Sequence, residues 1–337
     1  MDLSYWERSP RSSWRMAVLL GKNTRTYKFA LGAALLDAAA EDRSEILLRD
    51  LAVPYAMELV RHLGQAPQAS EKEERGERDF LSVAKREATE SLKLGHPTEE
   101  LLAAAMPSMT GMVMQKFHNL PSGGVEVPHR FYEVTGRSPG QVVRLSRELR
   151  DIARSEQAPT LRGELSARWS IVETSFAVGI GQSLIDEGVA VDMTTLQITD
   201  KQRRRSVTGV TDAVIGFQQG LCMICADPIT VGVDDIAVDH VFPLSFRRLL
   251  PSGGRGTTPD LDAIWNLAPA HAECNNRKSN RLPTEQETFR LAERNEAIMQ
   301  SPRPLRKTLA LTLERSGYKN PRPGDWLTFI RQVNAHF

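Results

Sequence analysis

Only three cysteines occur among the 337 residues, and none lies before position 222. An odd count confined to one stretch excludes a secreted disulfide framework, which would want an even number and a leader segment. The opening residues, "MDLSYWERSPRSSW", contain no apolar leader core, so a mature cytoplasmic protein is expected. No uninterrupted apolar run approaches the roughly eighteen residues of a membrane span, so no membrane partner is expected either. The chain has no internal repeat and little excess charge, a net +1. That charge is unevenly placed: residues 1–200 sum to about −4 and residues 201–337 to about +5. The imbalance points any polyanion-binding role to the C-terminal part.

What remains is an ordinary globular composition, 41% apolar and 25% charged, in a chain long enough for two domains. The first two hundred residues read as mostly helical. "KNTRTYKFALGAALLDAAAE" and "RDLAVPYAMELVRHLG" carry apolar residues at helical spacing, with Gly64 as a C-cap for the second. Thr98 and the two glutamates after it start another helix, which Pro107 is expected to interrupt. Pro121 and Ser122-Gly123-Gly124 make a turn that precedes a short strand or hairpin. "SPGQVVRLSRELRDIARSE" is expected to return to helix, with Ser138 as N-cap and Pro139 in the first turn. Met106, Met109, Met112 and Met114 sit at helical spacing and read as core filler. Further on, helices are expected over about Thr211–Gln219, ended by Gly220, and over "TEQETFRLAERNEAIM". A proline joint at Pro302 and Pro304 then precedes a helix in "LRKTLALTLERSGY".

The cysteines fall into a pattern with one histidine. Cys222 and Cys225 form a C-x2-C pair, and His271 and Cys274 form an H-x2-C pair. Each spacing on a tight turn aims two ligand atoms at one point, and two such pairs complete a tetrahedron. Three thiolates and an imidazole suit zinc, and His271 explains the odd cysteine count.

Between the pairs lies "AVDHVFPLSF", residues 237–246, where Asp239 and His240 end a short apolar run before Pro243. The loop "PSGGRGTTPDLDAI" follows, then Asn266-Leu267, the second pair, Asn275 and Lys278. This order resembles the zinc-stapled form of the HNH (ββα-metal) endonucleases over about residues 211–283, and "VDHVFPLSF" is similar to the HNH domain of CRISPR effector nucleases. The family's His, Asn and His-or-Asn positions match His240, Asn266 and Asn275. One position departs from the pattern: the second pair more usually opens with cysteine, where this chain has His271.

The helical patterning and the resemblance together give an expected α+β fold in three parts. Residues 1–200 would be a mostly helical domain of unassigned role, 201–285 a small zinc-stapled ββα-metal HNH module, and 286–337 a helical extension packing on it. The resemblance also implies a metal-dependent hydrolase of DNA phosphodiesters, expected to act on double-stranded DNA in bacterial restriction or antiphage defence. Protein partners would dock on the helical domain. RNA as substrate is a further reading. The alternative is a non-catalytic zinc module that binds nucleic acid, with the helical part as an interaction platform.

Implied roles follow. His240 is the general base, since a neutral imidazole can take a proton near pH 7. Asp239 and Asn275 supply oxygen ligands to a catalytic Mg²⁺ or Mn²⁺, and Asn266 holds the loop that orients His240 by hydrogen bonds to backbone and imidazole. Adjacent strand residues point to opposite sides, which lets Asp239 and His240 do separate work. Arg247, Arg248, Arg277 and Lys278 either contact phosphate or form a solvated face, and the same holds for Arg255 and the Arg203–Arg205 run.

Overall fold

The computed structural model describes residues 6–21, 23–69, 76–120, 125–177, 189–192, 197–200, 205–207, 210–250, 259–301 and 305–337. The turn at 121–124, Arg203, Arg204, Arg255, Pro302 and Pro304 lie outside these residues, as does the side chain of Arg205. The fold class is α+β, as expected, and the chain forms two compact units, one of residues 7–181 and one built mainly from 182–337.

The first unit begins with α1 (Pro10–Arg15), which widens into a buried π-type turn at Met16–Leu20. Then come α2 (Tyr27–Ala40), β1 (Glu45–Leu47), α3 (Leu48–Leu63), α4 (Phe80–Leu94), α5 (Glu99–Ser108) and the one-turn α6 (Met114–Lys116). Strands β2 (Tyr132–Thr135) and β3 (Val142–Leu145) precede α7 (Arg147–Ala153) and α8 (Ala158–Ala177). Helix α2 is apolar on nearly every side and is accordingly buried, with α3, α7 and α8 packed around it. Trp14 meets Phe117 and Phe131 at 5.6 and 5.3 Å in this core. A buried ion pair, Arg15 Nε to Glu164 at 2.9 Å, ties α1 to α8.

Several local signals hold. Gly64 caps α3, and the Thr98 hydroxyl accepts from Leu101 N–H at the start of α5. Met109 and Met114 are buried, whereas Met112 is exposed. Pro107 does not stop its helix: the backbone passes it and continues as a wider turn over Met109–Val113. The helix expected from Ser138 is corrected by the structure. Val142–Leu145 is instead the middle strand of the antiparallel sheet β1-β3-β2, and helix starts only at Arg147, capped by Ser146. Two β-branched valines, with Val143 and Leu145 inward and Arg144 outward, satisfy a strand's alternation. One pairing partner, β1, lies far back in the sequence, and the other, β2, is the preceding arm of a short hairpin.

The second unit includes an antiparallel sheet of β4 (Val189–Asp192), β5 (Gln197–Asp200) and β6 (Arg205–Val207), the first two of which fall inside the stretch read as mostly helical. Helix α9 (Val210–Phe217) follows, and the chain leaves it through Gln219 and Gly220, both left-handed. Strands β7 (Ile236–His240) and β8 (Leu267–His271) form an antiparallel hairpin in which Ile236 faces His271 and His240 faces Leu267. Helix α10 (Ala272–Lys278) continues directly from β8. Helices α11 (Glu285–Gln300), α12 (Leu305–Arg315) and α13 (Asp325–Asn334) complete the unit. None of the described helices is long and apolar enough to cross a membrane.

Helix α11 braces the hairpin through Arg294, which is fully buried. Its guanidinium donates to the carbonyls of Trp265 (2.7 Å) and Leu267, and to Asn295 Oδ1, while Asn295 Nδ2 donates to Trp265 O at 3.1 Å. Trp265 packs on Trp326 and Phe329 from α13 at 6.2 and 5.0 Å. Arg294→Ala would leave Leu267 O and Asn295 Oδ1 without this donor, and Trp265 O with Asn295 Nδ2 alone. At about 1–3 kcal/mol for each orphaned group, a loss of roughly 3 kcal/mol or more is expected. Urea unfolding checks it; a midpoint within error of wild type would show that the brace contributes little.

Candidate metal centre and adjoining cleft

The two halves of the cysteine–histidine pattern come together as expected. The Sγ atoms of Cys222, Cys225 and Cys274 and a ring nitrogen of His271 all lie within 4.8 Å of one another. The first pair sits on a knuckle closed by Cys222 N–H to Asp227 O and Ala226 N–H to Cys222 O, with Ala226 in the left-handed region. The second pair spans the junction of β8 and α10, so hairpin pairing sets His271 and the first helical turn presents Cys274. Cys222 and Cys274 are buried among Ile215, Ile229 and Ala270, while Cys225 is exposed.

The surroundings favour a bound cation. His271 Nδ1 lies 3.5 Å from Cys225 Sγ and 3.9 Å from Cys274 Sγ. The other ring nitrogen, Nε2, faces Pro228 O at 3.2 Å and the Asp234 carboxylate at 3.7 Å. Both are acceptors, so they hold the proton on Nε2 and leave the Nδ1 lone pair for a metal. Backbone N–H groups of Asp227 and His271 donate to Cys225 and Cys222 sulfur, each at 3.4 Å, which suits thiolates. Without a cation, partial desolvation of its sulfur, despite the exposure of the residue as a whole, and the neighbouring Cys222 thiol raise Cys225 above its ordinary thiol range. A divalent ion reverses this by binding the deprotonated form. Four soft donors in one place can hold a metal such as zinc.

At the other end of the hairpin, an open cleft of about 370 Å³ is lined by Asp239, His240, Ser245, Asn275, Asn276 and Asn280 among others. Asp239, His240 and Asn275, predicted from sequence to act together, thus share one cavity. Asp239 is buried against α10, where Lys278 Nζ lies 3.1 Å from both carboxylate oxygens but donates a directed hydrogen bond only to Oδ1. Oδ2 is buried and has no hydrogen-bond partner among the described residues. Burial raises the Asp239 carboxyl above its ordinary range, and Lys278 opposes this without cancelling it. His240 is half-buried and takes the other direction, with Nε2 3.0 Å from Asp262 Oδ1. No described residue hydrogen-bonds to its Nδ1.

No family model, curated protein or solved structure matches this chain.

The remaining predicted positions divide. Asn266 is completely buried: its Oδ1 accepts from Phe242 N–H at 2.8 Å, and its Nδ2 donates to Phe242 O and Leu261 O. It staples the two ends of the loop after His240 through backbone, while the imidazole goes to Asp262. Arg247 and Arg248 are exposed on the short 3-10 turn Leu244–Leu249, beside the cleft. Arg277 is also exposed and reaches Cys274 Sγ at 3.6 Å. Lys278 differs from the expected solvent-facing cation. Its side chain is buried, with the ammonium on Asp239 and on His240 O at 3.0 Å, because α10 lies directly over the end of β7. Asp262 was not anticipated; the signal is the "DLD" at 260–262 just ahead of Asn266. Arg290 was also missed: from α11 it donates to Met223 O and Ile224 O, clamping the knuckle.

Proposed function

We propose that the chain is a metal-dependent endonuclease of the HNH type, with residues 201–285 as its nuclease domain and double-stranded DNA as its substrate. What carries this reading is a hairpin followed at once by a helix, with His240, Asp239 and Asn275 on one open cleft and a four-donor metal centre at the far end of the same strands. Zinc held by Cys222, Cys225, His271 and Cys274 would staple the module. It supplies cross-linking that a small, loop-rich unit lacks in apolar core.

In hydrolysis, His240 Nδ1 takes the proton of the attacking water. The water oxygen bonds to phosphorus and the P–O3′ bond breaks, leaving a 5′-phosphate and a 3′ oxygen that is reprotonated from solvent. Asp239 and Asn275 would offer carboxylate and amide oxygens to a hard cation, and Asp239 Oδ2, which faces Lys278 Nζ at 3.1 Å but accepts no directed hydrogen bond among the described residues, fits that donor set. A bound Mg²⁺ or Mn²⁺ would stabilise negative charge on the phosphate and on the leaving oxygen. Asn266 keeps the loop ends fixed, and Arg247, Arg248 and Arg277 would meet backbone phosphates. Restriction or antiphage defence in the cytoplasm is the setting proposed for this activity, with residues 1–200 docking partner proteins. One observation favours the non-catalytic alternative: the Lys278 ammonium already neutralises Asp239, so a divalent cation has to share that carboxylate.

Supercoiled plasmid separates the two. Nicked or linear product is expected with Mg²⁺ or Mn²⁺ and none with EDTA. Salt-sensitive binding without cutting under any divalent cation would leave the binding module as the function.

A further inference from the structure

Resting on the nuclease reading, the geometry points to Asp262 as the positioning residue that sets the tautomer and aim of the His240 imidazole. The carboxylate is 3.0 Å from Nε2, and that nitrogen has no other hydrogen-bond partner among the described residues. A carboxylate accepts only, so the neutral ring donates N–H from Nε2 and keeps its lone pair on Nδ1, the nitrogen left to act as base.

Asp262 is held from both sides. Asp262 N–H donates to Asp260 Oδ1 at 3.1 Å, and the Trp265 indole N–H donates to Asp260 O at 2.8 Å. Asn266 Nδ2 donates to Leu261 O at 2.7 Å. Trp265 and Asn266 are themselves fully buried, so the short segment carrying Asp262 is fastened to the core on which His240 sits. Asn266 thereby has two effects. It closes the loop beside His240 through Phe242, and it fixes the backbone next to the acid that aims the ring.

The side chain of Asp262 is 47% exposed, so its role is orientation in a partly solvated site rather than burial of charge. Removing it takes nothing from the core, and Asp262→Ala is expected to melt as wild type does.

Two measurements on the full chain test the assignment. Long-range ¹⁵N–¹H correlation of the histidine rings at alkaline pH reports which nitrogen carries the proton, with His240 identified by its loss in His240→Ala. Wild type is expected to carry it on Nε2, and Asp262→Ala to give a mixture of tautomers. In plasmid cleavage, Asp262→Ala is expected to lower kcat about tenfold or more with KM and the Mg²⁺ requirement unchanged. That is less than the about 10²–10⁴-fold cost of losing the base itself. Asp262→Glu is expected to restore part of the loss. A wild-type proton on Nδ1, or an Asp262→Ala protein with unaltered tautomer and kcat, overturns the assignment. A raised Mg²⁺ requirement overturns it too, since it would place Asp262 on the cation. Should wild type not cut at all, the nuclease reading fails, and the tautomer comparison still decides whether Asp262 aims the ring.

Discussion

Cys274→Ser is expected to unfold the second unit and leave the first standing. Serine matches cysteine in shape, so the change removes a thiolate rather than core volume. Structural zinc contributes about 10–16 kcal/mol of apparent free energy in small zinc-dependent modules. Losing one of four ligands forfeits several kcal/mol of that, against a typical domain stability of about 5–15 kcal/mol. Cys274 also sits in the apolar cluster with Ile215, Cys222, Ile229 and Ala270, so a freed hydroxyl there would need a partner that cluster does not offer. Metal analysis of wild type should give about one zinc per chain. Limited proteolysis of the variant should degrade residues beyond about 182 and spare the 7–181 unit, which holds none of the four ligands. Metal-free wild type that stays folded and melts as the zinc-loaded protein does would remove the structural role of the centre.

His240→Ala is expected to lower plasmid cleavage about 10²–10⁴-fold while melting temperature, zinc content and DNA affinity stay at wild-type values. The ring is half-buried, at 27% exposure, and its one hydrogen bond among the described residues goes to an exposed acid, so its removal disturbs little packing. The strand beneath keeps its pairing to Leu267 through backbone, which alanine preserves. An imidazole that only shaped the cleft would show up as a change in KM with kcat intact. Cutting at the wild-type rate would end the assignment of His240 as base.

What could be read from sequence was whatever a short spacing dictates. C-x2-C and H-x2-C each aim two donors from a single turn, so the four-donor centre was legible once both pairs were seen. Caps at Gly64 and Thr98 are likewise decided within a few residues. Strand β3 was not legible, because Val142–Leu145 is a strand only by virtue of partners at Glu45–Leu47 and Tyr132–Thr135. Lys278 misled for a related reason. A lysine in the last turn of a short helix reads as solvated, and only the packing of α10 on β7 turns it onto Asp239. Asp262 lies twenty-two residues from His240, and the return of the loop alone makes them neighbours. Nothing in the sequence around Arg294 marks it as buried, because its carbonyl partners belong to a different stretch of chain.

The hairpin also works as a ruler. His271 at one end of β8 belongs to the metal centre, and Leu267 at the other end lies across from His240. Four residues of strand at about 3.4 Å each separate the two ends by roughly 14 Å. An ion held by the thiols is therefore out of reach of a phosphate lying against His240. Whatever metal occupies the cysteine centre, its identity says nothing about hydrolysis, and a protein that has lost its cutting can still be fully loaded.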